Sequence, residues 1–171
     1  MKKFMILIIV VFVVVFVAIF ILYYTNHIGI PESRIEKDAR VSQAISEDWN
    51  VVKATTEMMS AMIFYSDDFS DYTYSIYIKR HGLYYGYFFR LGGSEITIER
   101  GVAKISIEGY SEYAFISMNK QQINKVKIDD GNSVKFIEID SNEPFVFILP
   151  LNAGRATLYD INGNSIDEFI I

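Results

Sequence analysis

An uninterrupted apolar run near the N-terminus limits what this chain can fold into more than any other feature of its sequence. The nineteen residues of Phe4–Leu22 carry no charged and no strongly polar side chain. A helix of that length rises about 28 Å, close to the thickness of a bilayer's hydrocarbon core. Lys2 and Lys3 precede the run, and Tyr23 and Tyr24 follow it, where amphipathic rings favour the membrane interface. The run is therefore predicted to cross a lipid bilayer.

The flanks of this run favour an uncleaved signal anchor over a cleaved secretory signal. The run is longer than the usual signal-peptide core of roughly 7–15 residues. No small residues suited to cleavage follow it, and a chain without cysteine cannot carry a lipoprotein anchor. We expect a cytoplasmic tail over 1–3, a membrane span over 4–24 and a juxtamembrane connector over 25–32. The cleaved signal remains the alternative.

The charges on either side of the run predict its orientation. The first three residues hold two lysines and no acid, whereas Arg34 and Lys37 on the far side are mixed with acidic residues. Basic residues are retained on the cytoplasmic side. The chain is therefore expected to be a single-pass protein of the cell membrane, with a cytoplasmic N-terminus and one extracytoplasmic domain over 33–171.

The composition of the exported part excludes several functions. Without Lys2 and Lys3 the chain holds 14 basic and 21 acidic residues. Nucleic-acid binding depends on clustered basic residues that neutralise phosphates, so a nucleic-acid partner is not expected. The absence of cysteine excludes disulfide bonds and thiol catalysis.

One amphipathic helix is predicted at the start of the exported part. Ser33 and Glu36 have the spacing of a capping box, and an apolar stripe then recurs every three or four residues from Ile35 to Ile63. The only tryptophan, Trp49, lies in this stripe and is expected to pack between the helix and a sheet. Periodicity alone leaves open whether 58–65 is helix or strand.

From residue 72 onward the apolar period changes to two, which indicates β-strands. Tyr72–Ile78 and Tyr85–Leu91 alternate on either side of a turn at Arg80–Gly82, and Asn-Gly at 162–163 is a strong hairpin signal. The fold class is therefore mostly β, with one transmembrane and one amphipathic helix, as an antiparallel sandwich or coiled sheet of about ten short strands. The further strands are predicted at Glu95–Glu99, Val102–Glu108, Tyr113–Met118, Ile123–Ile128, Ser133–Ile139, Pro144–Leu149, Arg155–Tyr159 and Ser165–Ile170.

The segment from Tyr74 to Gly93 is dense in aromatic residues, and two interpretations are open. Large apolar rings on both faces of the strand at 84–91 favour a buried strand covered on both sides, with Phe88 and Phe89 in the core. The rival interpretation is a platform for a carbohydrate or peptide, on which rings stack beside cations. That platform would use Tyr84, Tyr85, Tyr87 and Arg90 together with Lys79, Arg80 and His81.

The sequence offers little else for chemistry, and no catalytic residue or cofactor is predicted. The two histidines, His27 and His81, belong to no serine, zinc or phosphate-binding motif. Asp67, Asp68 and Asp71 are candidates for calcium ligands or an acid/base pair, although an exposed acidic loop is the preferred interpretation. The acidic and amide residues at 160–164 have the wrong spacing for a calcium loop and are interpreted as a hairpin.

The order of apolar helix, second helix and sheet resembles that of type IV pilin-like subunits. Such subunits carry a processing glycine and a glutamate at the fifth position of the mature apolar segment, and Phe4–Leu22 contains neither. The sequence is therefore identified with no family. It predicts a membrane-anchored extracytoplasmic binding or scaffolding module whose partner is another envelope protein or a wall polymer. The alternative is a carboxylate-dependent enzyme that acts on cell-envelope glycans.

Overall fold

A long apolar helix precedes a body of antiparallel sheets in the computed structural model, which describes residues 2–25, 27–82 and 84–171. Helix α1 spans Lys2–Tyr24, and no residue of its apolar stretch Phe4–Tyr24 is buried. The helix is long and apolar enough to cross a membrane, a property that membrane anchors share with signal sequences.

The predicted amphipathic helix is much shorter than its apolar stripe. Helix α2 covers only Ile35–Ser42, and the chain then passes through Ala44, which has a left-handed φ of 54°. Trp49 lies half-buried just before the first strand instead of on a helix. The extension of the helix to Ile63 was wrong because the later part of the stripe belongs to a β-hairpin.

The predicted capping box also fails to form. A single 3₁₀ turn, Glu32–Arg34, precedes α2 and includes Ser33. The cap of α2 is Arg34, and no side chain caps the helix by a hydrogen bond. Pro31 causes this difference, because its fixed φ suits a tight turn that places Ser33 inside the turn.

The first sheet has four antiparallel strands in sequence order, and it resolves all of 58–65 except Met58 as a strand. Turns and loops join neighbouring strands throughout, which keeps successive strands paired. The strands are β1 (Asn50–Thr55), β2 (Met59–Tyr65), β3 (Tyr72–Lys79) and β4 (Tyr87–Gly93).

A short helix replaces one predicted strand. Helix α3 covers Ile96–Arg100, where a strand over Glu95–Glu99 was expected. The alternating pattern is too short to distinguish a strand from one helical turn. Ile98 is fully buried while Ile96 is exposed, and the Ile98 carbonyl accepts the amide N–H of Met118 at 2.8 Å. Packing against the next sheet thus decides the conformation.

The remaining seven predicted strands are confirmed, and they form two further antiparallel sheets. A central sheet has the order β5-β6-β9, and an outer sheet has the order β11-β10-β7-β8. The strands are β5 (Ala103–Ser106), β6 (Glu112–Ser117), β7 (Ile123–Asp129), β8 (Val134–Glu138), β9 (Phe145–Pro150), β10 (Arg155–Asp160) and β11 (Ser165–Ile170).

The predicted hairpin at Asn162–Gly163 joins β10 to β11. Gly163 has a φ of 81°, and the Asp160 carboxylate accepts the backbone N–H groups of Asn162 and Asn164 at 2.9 and 2.8 Å. Hydrogen bonds from Asn164 and Asn162 outweigh the effect of burial and lower the pKa of Asp160. The carboxylate therefore serves the turn itself.

The side chains of the central sheet alternate between two apolar clusters, so the body is layered. Ala114 and Ile116 of β6 pack with β2 and β3 of the first sheet, whereas Phe115 packs with Val126 and Leu158 of the outer sheet. A third cluster joins α2 to the opposite face of the first sheet. The order of layers is helix α2, first sheet, central sheet and outer sheet.

The double-sided cover predicted for the aromatic strand belongs to a different strand. All seven residues of β2 are buried, whereas β4 is the last strand of its sheet and buries only Tyr87. Phe89 is 47% exposed and Phe88 is half-buried, so the expectation that both rings lie in the core was wrong. An edge strand has a neighbouring strand on one side only, and the residues of β4 after Tyr87 are half-buried or exposed.

Candidate functional site

Four aromatic and basic side chains meet where the connector reaches the loop before β4. The Arg80 guanidinium carbon lies 4.1 Å from the ring centroid of Phe88 and 5.6 Å from that of Tyr84. Tyr84 meets Phe88 edge-on at 6.0 Å, and His27 stacks on Tyr84 at 4.6 Å with an interplanar angle of 4°. We call this set (His27, Arg80, Tyr84 and Phe88) the junction cluster.

The junction cluster uses its own stacking surfaces. His27 stacks on one face of Tyr84, Phe88 meets its ring edge-on, and Arg80 lies over both Phe88 and Tyr84. Each cation–ring contact of this kind contributes about 0.5–1 kcal/mol at an exposed site. Two predicted site residues, Arg80 and Tyr84, are thus brought together as an internal contact. His27 and Phe88 were not predicted to take part, because their contact depends on how the connector folds back.

Backbone hydrogen bonds fasten the connector to the same place. The Gly29 N–H donates to the Tyr85 carbonyl at 2.6 Å, and the Tyr85 N–H donates to the His27 carbonyl at 2.8 Å. Ile30 and Tyr87 exchange a pair of N–H to carbonyl bonds at 2.7 and 2.8 Å. Residues 27–30 therefore act as a short extra strand beside the start of β4.

Two glycines permit this close approach. A Cβ at Gly29 would lie 2.5 Å from the Tyr87 carbonyl oxygen and 2.9 Å from the Phe88 ring. A Cβ at Gly86 would lie 2.8 Å from the Ile30 oxygen, and Gly86 has a φ of 79° that other residues rarely adopt. Any side chain at either position would push the connector away from β4.

Two described contacts join the end of the apolar helix to the junction cluster. The His27 N–H donates to the Leu22 carbonyl at 2.9 Å, and His27 Nδ1 lies 2.7 Å from Thr25 Oγ1. The end of α1 is thus hydrogen-bonded to the residue that stacks on Tyr84. The position of the body is coupled to the helix through these contacts.

The other predicted binding residues are separated from one another. Tyr87 is 6% exposed and its hydroxyl donates to the Thr56 carbonyl at 2.7 Å. Burial, followed by the charges of nearby acids, raises the pKa of Tyr87. Lys79 Nζ lies 3.9 Å from a Glu57 carboxylate oxygen, and His81 stacks on Tyr110 at 5.1 Å. Tyr85 and Arg90 are exposed.

The acidic loop between β2 and β3 is held by its own hydrogen bonds. Asp68 accepts the Ser66 hydroxyl at 2.6 Å and both the amide and the hydroxyl of Ser70, and these bonds lower the pKa of Asp68 to about 2. Asp67 accepts the Asn50 amide at 2.7 Å, and Asp71 accepts the Ser70 hydroxyl at 3.1 Å. Within the described ranges, no three His, Cys, Asp or Glu side chains are grouped to hold a metal ion.

The outer edge of β4 is the most apolar exposed strand segment next to the junction cluster. Phe89 and Leu91 are 47% and 37% exposed, and Arg90 lies between them at an irregularity in the pairing with β3. Tyr85, just before the strand, is 59% exposed. The connector occupies the edge only as far as Tyr87, so the following residues have a single neighbouring strand.

Comparison of the chain with protein-family models, with curated proteins and with solved structures finds no significant match. Function must therefore be argued from the geometry alone.

Proposed function

We propose that this protein is a single-pass membrane protein whose extracytoplasmic body binds another envelope protein along the open edge of β4. Helix α1 is the anchor, and the body over 33–171 lies outside the cell. The observation that carries the proposal is the exposure of Phe89 and Leu91 on the last strand of a sheet, next to a connector that fixes this edge close to the helix.

An edge strand presents a row of backbone N–H and C=O groups that can pair with an added strand. Natural proteins usually protect such edges with charge or cover, and apolar side chains on an open edge mark a pairing surface. In strand addition the main chain supplies affinity and the side chains supply specificity. Phe89 and Leu91 would contact the partner, and Arg90 would limit its register.

The pairing of the connector with Tyr87 supports strand addition on this side of β4. Ile30 pairs with Tyr87 on the outer side, and the pairing ends at Pro31, which has no N–H to donate. The N–H and C=O groups of successive residues point to alternate sides of a strand. Those of Tyr87 point outward to Ile30, so those of Phe89, two residues later, point outward as well. A partner strand would continue from where the connector leaves.

Membrane anchoring makes a small interface sufficient. Two proteins held in one membrane meet in a plane, and their effective concentration is raised without any additional contact. The hydrogen bonds between the connector and β4 limit the distance of the edge from the membrane. A partner that is itself anchored would meet this edge at a fixed height.

The acidic loop gives less support to the alternative of glycan hydrolysis. That reaction requires one carboxyl group that stays protonated to act as the general acid. The serine hydrogen bonds that lower the pKa of Asp68 to about 2 favour its ionised form, which suits the second carboxylate of such a pair but not the general acid. We therefore propose binding in preference to catalysis.

Site-specific photo-crosslinking in the native cell tests the binding proposal. A photoreactive residue replaces Phe89 or Leu91, and a matched control replaces Phe136, which is 58% exposed on the outer sheet. We expect the first two positions to yield the same protein adduct and the control to yield none of it. An identical set of adducts from all three positions would contradict the proposal.

Thiol labelling tests the proposed anchoring, since the natural chain has no cysteine. A cysteine at Val134, 47% exposed in the body, should react with a membrane-impermeant reagent in cells stripped of any outer barrier. A cysteine at Lys3 should react only after the membrane is opened. The opposite pattern would reverse the orientation, and release of a shortened chain into the medium would show a cleaved signal.

A further inference from the structure

A groove runs between the connector and helix α2, and it combines apolar walls with two basic side chains. Its volume is about 710 Å³. Val41 and Ile28 on its rim are 74% and 39% exposed. The groove is lined by Ile28, Gly29, Ile30, Pro31, Arg34, Lys37, Asp38 and Val41.

The basic side chains of the groove lack acidic partners. In the part of the chain that the structure describes, no carboxylate oxygen lies within 4.0 Å of Arg34 or Lys37. The one acid in the lining, Asp38, accepts the buried Tyr77 hydroxyl at 2.7 Å. Because the Tyr77 phenol is neutral, Asp38 still counts as one negative charge, and Arg34 and Lys37 together leave the groove with a net positive charge.

Elsewhere on α2 the charges are already paired. Glu36 forms ion pairs with Arg40 at 3.4 Å and with Lys53 at 3.1 Å. Burial alone would raise the pKa of Glu36, but the hydrogen bonds and charges of Lys53 and Arg40 outweigh it and lower the pKa. Lys37 on α2 and Arg34 just before it are therefore the cations of this segment outside the described ion pairs, and both line the groove.

The groove begins directly after the apolar helix. Ile28 follows His27, whose N–H is bonded to the carbonyl of Leu22. The polar headgroup layer of a bilayer is roughly 5–8 Å thick on each side, about one helical turn. If α1 is the membrane anchor, as proposed above, the Ile28 end of the groove lies within that layer.

We propose that this groove binds the phosphate of an anionic phospholipid in the leaflet that the body faces. The Arg34 guanidinium offers a planar pair of donors that matches phosphate oxygens, and the Lys37 ammonium adds a second positive charge. Val41 and Ile28 would contact the apolar parts of the lipid at the level of the headgroup layer. This contact would hold α2 against the membrane and so fix the tilt of the body. The inference rests on the proposed anchoring, but not on the binding partner of β4.

A depth measurement on the full chain tests this inference. Val41→Cys is labelled with a fluorophore, and the protein is inserted into vesicles of phosphatidylcholine alone or of phosphatidylcholine and phosphatidylglycerol at about 7 to 3. A headgroup-labelled lipid quencher reports proximity. We expect the stronger quenching with phosphatidylglycerol, and we expect it to fall at high salt because the contact is electrostatic.

The variants Arg34→Gln and Lys37→Gln should each weaken the preference for phosphatidylglycerol about fivefold, and the pair should abolish it. The matched control Lys135→Gln, on the outer sheet, should leave it unchanged. Equal quenching in both lipids, or no effect of the double variant, would overturn the inference. Quenching that depends on protein density instead of lipid charge would assign the groove to a second copy of the chain.

Failure of the anchor would be recognised separately. Alkaline extraction of the same vesicles shows whether the chain is inserted, independently of quenching at Val41. Inserted protein without a lipid preference overturns the inference alone. Protein that is extracted overturns the proposed anchoring, and with it the position of the groove.

Discussion

β2 and β4 have the same length and lie in the same sheet, but their environments differ. β2 buries all seven of its residues, with Ile63 in the cluster shared with the central sheet and Phe64 in the cluster shared with α2. β4 carries two phenylalanines and a leucine, yet Phe89 and Leu91 are exposed. The difference comes from position, because β2 has a strand on each side and cover on both faces. Apolar content alone therefore does not place a strand in the core.

The sharpest test of this comparison is the same substitution in both strands. Phe64→Ala should lower the free energy of unfolding by about 3–5 kcal/mol, because it leaves a cavity among fully buried neighbours. Phe89→Ala should cost less than about 1 kcal/mol, since its ring is already half in water. Urea titration of the full chain in detergent, followed by Trp49 fluorescence, measures both values. Equal losses of unfolding free energy from the two substitutions would mean that the Phe89 ring is buried in solution, as the Phe64 ring is.

The sequence predicted strands correctly where one face of a strand is exposed to solvent. It also did so where successive side chains pack alternately into two apolar clusters. β6 and β9 are an example, since Phe115 and Ile116 face different clusters in succession. It failed between residues 43 and 63, where the apolar residues also fit a helical spacing of three and four. β2 alternates between two clusters as β6 does, so the two patterns overlap there and periodicity alone does not choose between them.

The site was predictable only in part, for a related reason. Density of aromatic residues indicated the segment around Tyr84, and Arg80 and Tyr84 do meet. The partners of Tyr84 were hidden because His27 lies more than fifty residues away in sequence. Only the folding of the connector onto β4 brings His27 to this ring, and that contact depends on Gly29 and Gly86.

The coupling of the connector to β4 is tested by a pair of glycine substitutions. Gly86→Ala should cost about 2–3 kcal/mol, because it adds a clash with the Ile30 carbonyl to an unfavourable positive φ. Gly163→Ala has a similar φ and open space around it, so it should cost only about 1 kcal/mol. Denaturant titration measures the difference.

The same two glycine substitutions distinguish local backbone strain from detachment of the connector from β4. If the connector leaves β4 in Gly86→Ala, the amide of Ile30 should lose its protection from hydrogen exchange while the core amide of Phe115 keeps its own. Unchanged protection at Ile30 together with a small energetic cost would show that the connector does not depend on this approach.

Alkaline pH tests the burial of β3, which lies between the two strands compared above. Burial, followed by a hydrogen bond to Glu95, raises the pKa of Tyr74 to about 12. Above pH 10 the unfolded chain releases this proton while the folded chain keeps it. Stability therefore falls as the pH rises, by at most about 1.4 kcal/mol per pH unit for this group, until the folded pKa is reached.

Tyr74→Phe should remove this contribution to the alkaline slope and cost about 1 kcal/mol at neutral pH through the lost hydrogen bond. Tyr85→Phe is the matched control, since it removes the same hydroxyl from an exposed position. Denaturant titrations from about pH 10 to about pH 12 compare the two variants, since the ordinary tyrosine pKa is about 10 and that of folded Tyr74 is about 12. Identical slopes would contradict the burial of Tyr74.

The smallest effect is expected in the loop that joins β2 to β3. Asp68→Asn weakens the acceptor for Ser66 and Ser70, so the Ser70 amide should exchange faster while the unfolding midpoint stays unchanged.

Because the pKa of Asp68 is lowered, its local contribution is present above the ordinary pKa of about 4 and is lost as the pH falls toward 2. The amide hydrogen-exchange rate of Ser70 in the parent chain should therefore approach the rate in the variant only at strongly acidic pH. A change in the turnover of wall glycan by the same variant would instead favour the enzymatic alternative, since the loop would then act through its carboxylate and not through the turn that it holds.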